Sequence, residues 1–151
     1  SRIVVDSDGI GGSVQDQLRG IKGFTANASP LPDRLGKTPN FQNLKSQCSY
    51  LLAEYVNDHK IAIKVESIEV KEKIKEDLEQ IKSFDADKDG KRKVLPKDKV
   101  KEVLGRSPDF GDCLVMRMLL ELKQAFDGPL AKYGVPGQVQ TDEMPLTRFS
   151  R

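Results

Sequence analysis

The stretch "LGRSPDFGDCLVMRMLLEL", Leu104 to Leu122, decides how this chain is read. Gly105 closes a brief helix over "KDKVKEVLG", Ser107 is placed to cap the next one, and Pro108 suits its first position. From Leu114 the apolar residues Leu114, Val115, Met118, Leu119 and Leu122 recur at helical spacing, so this helix lays one face on a core. Asp109 sits in the first turn, where a carboxylate meets the positive end of the helix dipole. Asp112 lies one turn further on. That benefit has faded there, and a carboxylate beside apolar side chains is desolvated. The position calls for a cation, either a basic side chain such as Arg106 or a metal ion.

Upstream, "RIVVD" is a short run rich in β-branched residues that ends in an acid, and "SDGIGG" breaks it before "SVQDQLRG" resumes helical spacing. "IKGFTANA" is a second strand, and "SPLPDRLGKTPN" is a loop with three prolines. In "NFQNLKSQCSYLLAEYVNDHK", Phe41, Leu44, Cys48, Leu51, Leu52, Tyr55 and Val56 recur three or four apart, with Asn40 as the expected N-cap. "IAIKV" reads as a strand. "ESIEVKEKIKEDLEQIKSF" reads as a helix that turns Ile68, Ile74, Leu78 and Ile81 inward. "DADKDGKRKVLP" places Asp-Gly between extended flanks, a hairpin signal. Alternating strands and helices give an α/β fold, and the continuous hydrophobicity of Ile3, Val4 and Val5 suits a sheet covered on both faces.

The chain has 151 residues, enough for one domain, with 37% hydrophobic and 32% charged residues and a net charge of +2. No apolar run approaches the roughly 18 residues a membrane span needs. The cysteines, Cys48 and Cys113, both fall in expected helices and read as reduced, buried thiols of a cytosolic protein. After Lys123 the chain turns Gly- and Pro-rich, so residues 1–124 form the expected domain and 125–151 a tail.

Three short patterns fail on inspection. "GIGG" would need a third glycine where Val14 stands, and "GKT" at 36–38 would need its first glycine where Leu31 stands. "DADKDG", Asp85 to Gly90, opens like a calcium loop, but Pro96 occupies the position of the bidentate glutamate, so a hairpin turn with solvated acids is the better reading. Between Ala86 and Arg106, eight basic residues stand against four acids, a local net charge of +4. Asp6 closes the first strand, and ligands of such sheets gather beyond the carboxyl ends of strands. The plainer alternative is that Asp6 caps the following turn. Carboxylates without His or Cys suit a hard cation such as magnesium or manganese, and a basic segment leading to an acidic pair suits a polyanionic substrate.

Four segments, "IVVDSDGIGGSVQDQL", "GFTANASP", "NFQNLKSQCSYLLAEYVN" and "KRKVLPKDKVKEVLGRSPDFGDCLVM", resemble in this order the C-terminal nuclease region of phage terminase large subunits. The resemblance spans Ile3 to Leu122. Its most specific part is "GRSPDFGDCL", similar to the family's G-R-S-P-D-x-A-D-A-L with Gly111 and Cys113 in place of the alanines. It implies a ribonuclease H-like mixed sheet flanked by helices, and cleavage of concatemeric double-stranded DNA by two-metal phosphodiester hydrolysis with Mg²⁺ or Mn²⁺. By position it implies Asp6 and Asp112 as metal-binding catalytic acids, Asp109 as a neighbouring or additional ligand, and a DNA-backbone contact from Lys97, while the basic segment adds Arg92, Lys93 and Arg106 as expected DNA contacts. Asp8 could also turn inward. A portal, a small terminase subunit and the cytoplasm of a bacterial host are implied in the same way. In that family a first catalytic strand and an ATPase motor precede the matched part. The resemblance therefore implies part of a longer terminase, with a sheet incomplete at its N-terminal side. The alternative is a DNA- or portal-binding domain without catalysis.

Overall fold

A computed structural model describes residues 3–8, 17, 20–33, 35–84 and 90–126, with side chains to 122. Strand β1 (Val4–Asp6) pairs in parallel with β2 (Lys22–Phe24), in the register Val4 to Lys22 and Asp6 to Phe24. The ladder continues past the strand end, where the Ser7 amide donates to the Phe24 carbonyl at 2.8 Å. Helices α1 (Leu44–Asn57) and α2 (Ile68–Glu79) follow, then an antiparallel pair of β3 (Ser83–Phe84) and β4 (Lys93–Val94). Two further helices, α3 (Lys97–Leu104) and α4 (Asp109–Phe126), complete the described elements. Parallel and antiparallel ladders are both present, as a mixed α/β arrangement requires. The glycine pattern at 9–12, most of the expected first helix, the turn residues 85–89 and the expected tail from 127 onward lie outside the described residues.

The core forms where α1 crosses α4. Leu44, Cys48 and Leu52 from α1 meet Val115, Met118 and Leu119 from α4, and Phe24 of β2 closes the cluster. These side chains are almost wholly removed from water, and apart from Cys48 each contributes roughly 1.5–3 kcal/mol of transfer free energy. Val4 packs against the same cluster, so the parallel ladder rests on the helix pair.

Several local expectations shift. The N-cap of α1 is Asn43 rather than Asn40, and its side chain accepts from the Ser46 amide. The cause is β-type pairing upstream. Phe41 forms a bridge with Arg92, while the Arg92 amide donates to the Asn40 carbonyl and Gln42 to the Arg92 carbonyl, so residues 40–42 cannot be helical. "IAIKV" is not a strand, because no described segment lies beside it to form a ladder, and Ile63 and Val65 are exposed. Ile68 is 78% exposed. It stands six residues before Ile74, about 120° round the helix from the inward stripe. Helix α4 begins at Asp109, with the Pro108 carbonyl accepting its first bond from the Asp112 amide at 2.8 Å. Gly105 ends α3 in the left-handed conformation, as its position predicted. Cys113 is exposed, and only Cys48 is buried.

Candidate active site

The carboxyl end of β1, the turn after β2 and the first turns of α1, α3 and α4 converge on one cleft of about 240 Å³. Asp6, Asp8, Lys45, Lys97 and Asp112 line it, over an apolar floor that includes Phe24 and Val115. Asp6 is fixed by turn geometry, since its Oδ1 accepts from the Asp8 amide at 3.0 Å. Asp8 accepts in turn from the Ala26 amide at 3.3 Å, which ties the loop after β1 to the turn after β2. Asp6 thus caps the turn and at the same time stands in the cleft lining.

Asp112 has the cationic partner its position demanded, but that partner is neither Arg106 nor a single group. Lys45 Nζ donates to Oδ1 at 2.8 Å and Lys97 Nζ to Oδ2 at 2.6 Å. The side chain is 21% exposed. Burial alone would raise its pKa, and the two lysine hydrogen bonds with their charges outweigh that cost and hold the carboxyl below its ordinary value. Hydrogen bonding to Asp112 raises the Lys97 pKa against some desolvation, and the charges of Asp112, Asp109 and Asp6 add to the effect. Lys97 is thus the ammonium that all three expected acids act upon. Asp109 itself is exposed in the first turn of α4 and is not among the cleft-lining residues.

The basic residues divide differently. Arg106 faces α2, bonded to Asp77 at 2.7 Å and Glu76 at 2.9 Å, and it also donates to the Lys73 and Ser107 carbonyls. Arg92 lies over the rings of Phe41 and Tyr50, 5.9 and 5.8 Å from their centroids. Lys93 and Lys99 both lie over Phe84, at 5.5 and 4.6 Å. Of the four basic residues expected at DNA, only Lys97 reaches the acid cleft.

Lys45 and Asp77 escaped the sequence reading. Asp77 is buried, and its Oδ2 accepts from the Gly111 amide at 3.0 Å, capping α4 from a neighbouring helix. Its signal was available. Asp77 falls on the stripe of Ile74, Leu78 and Ile81, where an acid on an apolar face demands partners. Lys45 gave a fainter sign, at the head of the polar run Ser46, Gln47 and Ser49 on the buried side of α1.

A divalent cation can be tested against these donors. The all-oxygen acids are of the right type for magnesium or manganese. Yet both Asp112 oxygens carry ammonium groups, and among the described residues no group of three or more His, Cys, Asp or Glu side chains is placed to hold a metal ion. The described acids therefore do not make a complete metal site. Three carboxylates and two ammonium groups leave the lining at a net −1. A divalent cation would turn that sum positive, and a phosphodiester would then restore it to neutral.

No protein-family model matches the sequence, and no curated protein matches it. Solved structures do. The nuclease domain of the large terminase subunit gp2 of bacterial virus Sf6 superposes with a TM-score of 0.59 at 24% identity, over 76% of this chain and 63% of that one. A lysine-to-alanine variant of the same domain, with manganese and beta-thujaplicinol, gives 0.60 at 23% identity over the same shares. The chain thus spans less than two thirds of those structures, and the likeness establishes the fold, a mixed α/β arrangement like that of the terminase nuclease domain. Among the described residues no helix is long and apolar enough to cross a membrane.

Proposed function

We propose that this chain is part of the nuclease of a phage DNA-packaging terminase, a Mg²⁺- or Mn²⁺-dependent endonuclease acting on concatemeric double-stranded DNA. One observation carries the reading. Asp6 and Asp112, chosen from positions 106 residues apart, line the same cleft in a fold like that of a terminase nuclease domain. The manganese in one of the similar structures supports a divalent cation as the cofactor. Asp6 and Asp112 are assigned as metal-binding acids, with Asp109 adding charge from the helix start. Lys97 and Lys45 are assigned to substrate phosphate, and Arg92, Lys93 and Arg106 to the flanking basic surface. A portal and a small terminase subunit in the host cytoplasm are the partners this assignment entails.

Before any chemistry, the residues present would do three things. They hold Asp6 and Asp112 across one cleft, keep Asp112 ionised, and keep two ammonium groups where a phosphodiester would enter. A second reading, DNA or portal binding without catalysis, is favoured by one feature: both Asp112 oxygens are already occupied by lysines.

Manganese titration of the full chain separates the two, with Mn²⁺ broadening of amide resonances as the readout. Selective broadening at Asp6 and Asp112, reversed by chelator and lost in Asp112→Ala, is the expected result. Broadening that spares both residues removes the site assignment. A longer chain carrying upstream sequence should nick plasmid DNA with Mn²⁺ and stop on Asp112→Ala; cutting that persists refutes the catalytic reading.

A further inference from the structure

A second groove of about 400 Å³ shares the lining residues Ala26, Lys45 and Lys97 with the acid cleft. Their chemistry is opposite. The first is lined by three carboxylates. The second has no carboxylate among its described lining residues and presents the amides of Asn27, Gln42 and Asn43 beside the same two lysines.

The orientation of these amides follows from a chain of hydrogen bonds. Asn43 must turn its Oδ1 toward α1, because that atom accepts from both the amide and the hydroxyl of Ser46 at 2.9 Å. Its Nδ2 is therefore a donor, and it donates to Asn27 Oδ1 at 3.1 Å. Asn27 in turn has its oxygen engaged, so its free edge is the NH₂ group, with no hydrogen-bond partner among the described residues. The N-cap of α1 thus sets which face Asn27 shows to the groove. The Gln42 side chain is likewise without a hydrogen-bond partner there. Gln42 can turn either edge of its amide inward, so the oriented donor is the Asn27 NH₂, and beside two ammonium groups it suits a ligand that accepts. Phosphate oxygens only accept, and their negative charge suits the two ammonium groups.

We infer that this groove is a phosphate subsite, seating a backbone phosphate of the nucleic-acid strand next to the one at the acid cleft, with Asn27 as its neutral donor. The inference rests on the nuclease reading and extends the path of the strand beyond the acids. Asn27 then positions the strand and touches no reacting atom.

Asn27→Asp is the sharpest test, because aspartate can still accept from Asn43 Nδ2 while it replaces the donor edge with negative charge. Asn27→Ala serves as a second, uncharged variant. Affinity for a short DNA duplex is measured in chelator and with Mn²⁺ by fluorescence anisotropy, and the Asn27 side-chain NH₂ resonances are followed by NMR. The expected loss for Asn27→Asp is about ten-fold, the worth of one charge-assisted hydrogen bond. Lys97→Met should weaken binding and lower the salt slope by about one. The duplex should shift the Asn27 NH₂ signals well beyond inorganic phosphate at equal phosphorus concentration. If Asn27→Asp and Asn27→Ala bind as the parent does while Lys97→Met is weakened, the subsite is refuted and the nuclease reading stands. If the duplex is bound neither in chelator nor with Mn²⁺, or no variant changes its affinity in either condition, both are refuted. Equal shifts with inorganic phosphate would make the groove a small-anion site and overturn the strand assignment.

Discussion

Asp77→Ala should be among the most damaging polar substitutions in this chain. The carboxylate is fully buried, with one oxygen on Arg106 at 2.7 Å and the other on the Gly111 amide at 3.0 Å. Removing it strands that amide in the first turn of α4, which costs about 1–3 kcal/mol for an unsatisfied buried donor. Breaking a buried ion pair costs about 3–5 kcal/mol in full, but Arg106 keeps Glu76 and the Ser107 carbonyl, so only part of that applies. The expected loss is about 3 kcal/mol, which at a typical urea slope of about 2 kcal/mol/M moves the midpoint down by about 1.5 M. Asp77→Asn should fall between, since its amide oxygen can still accept from Gly111 while its nitrogen opposes the guanidinium. Urea unfolding followed by circular dichroism measures both. A loss below about 1 kcal/mol for Asp77→Ala, on the scale of an ordinary exposed pair, would refute the capping role. Gly111→Ala probes the same contact from the other side, because an added Cβ would lie 3.0 Å from Asp77 Cβ. Asp77→Ala should not relieve that crowding, since it retains the Cβ.

Asp112→Asn should cost on the order of 1 kcal/mol at neutral pH, given lysines that are partly exposed. The Asp112 pKa is depressed in the folded state, so its contribution is present above the unfolded value and is lost as pH falls through the folded one. The gap between variant and parent in urea midpoint should therefore close on acidification, and a gap that widens instead would refute the pairing. A thiol reagent should modify exposed Cys113 in the native protein and reach Cys48 only on unfolding, because burial has pushed the Cys48 thiol up to about 12. If Mn²⁺ and phosphodiester occupy the acid cleft together, each should raise the affinity for the other by the same factor, as linkage requires. Duplex affinity measured with and without Mn²⁺, and Mn²⁺ affinity with and without duplex, gives both factors, and a factor of one in either would remove the shared site.

What the sequence disclosed about the fold was local. Periodicity located the cores of α1, α2 and α4, because amphipathic spacing reflects the face a helix buries whatever its neighbours are. It failed where a partner decides the outcome. Phe41 continues the helical spacing of α1, yet a bridge to Arg92, 51 residues away, holds it extended. "IAIKV" has every local mark of a strand, but a strand is defined by its ladder, and no described segment pairs with it. Ile68 was placed inward by residue type alone, and angular position around the helix overrules type.

The site was legible as a demand rather than as a structure. A carboxylate at position 112, set against Leu114, Val115 and Met118, requires a positive partner, and that requirement follows from desolvation without any knowledge of the fold. Which cation answers it depends on contacts that no spacing encodes. Lys45 is 67 residues away and Lys97 is 15, while Arg106, the nearest in sequence, is drawn off by an acid the sequence reading did not weigh. The two acids are therefore coupled. Asp77 holds Arg106 and the Gly111 amide, so the residue before Asp112 is anchored and the guanidinium is kept from competing with the lysines. Under the proposed metal-ligand role, lysine is the more fitting partner, because Asp112 would then have to share its oxygens with a cation. A single ammonium can leave one oxygen at a time, whereas a bidentate guanidinium would block both at once.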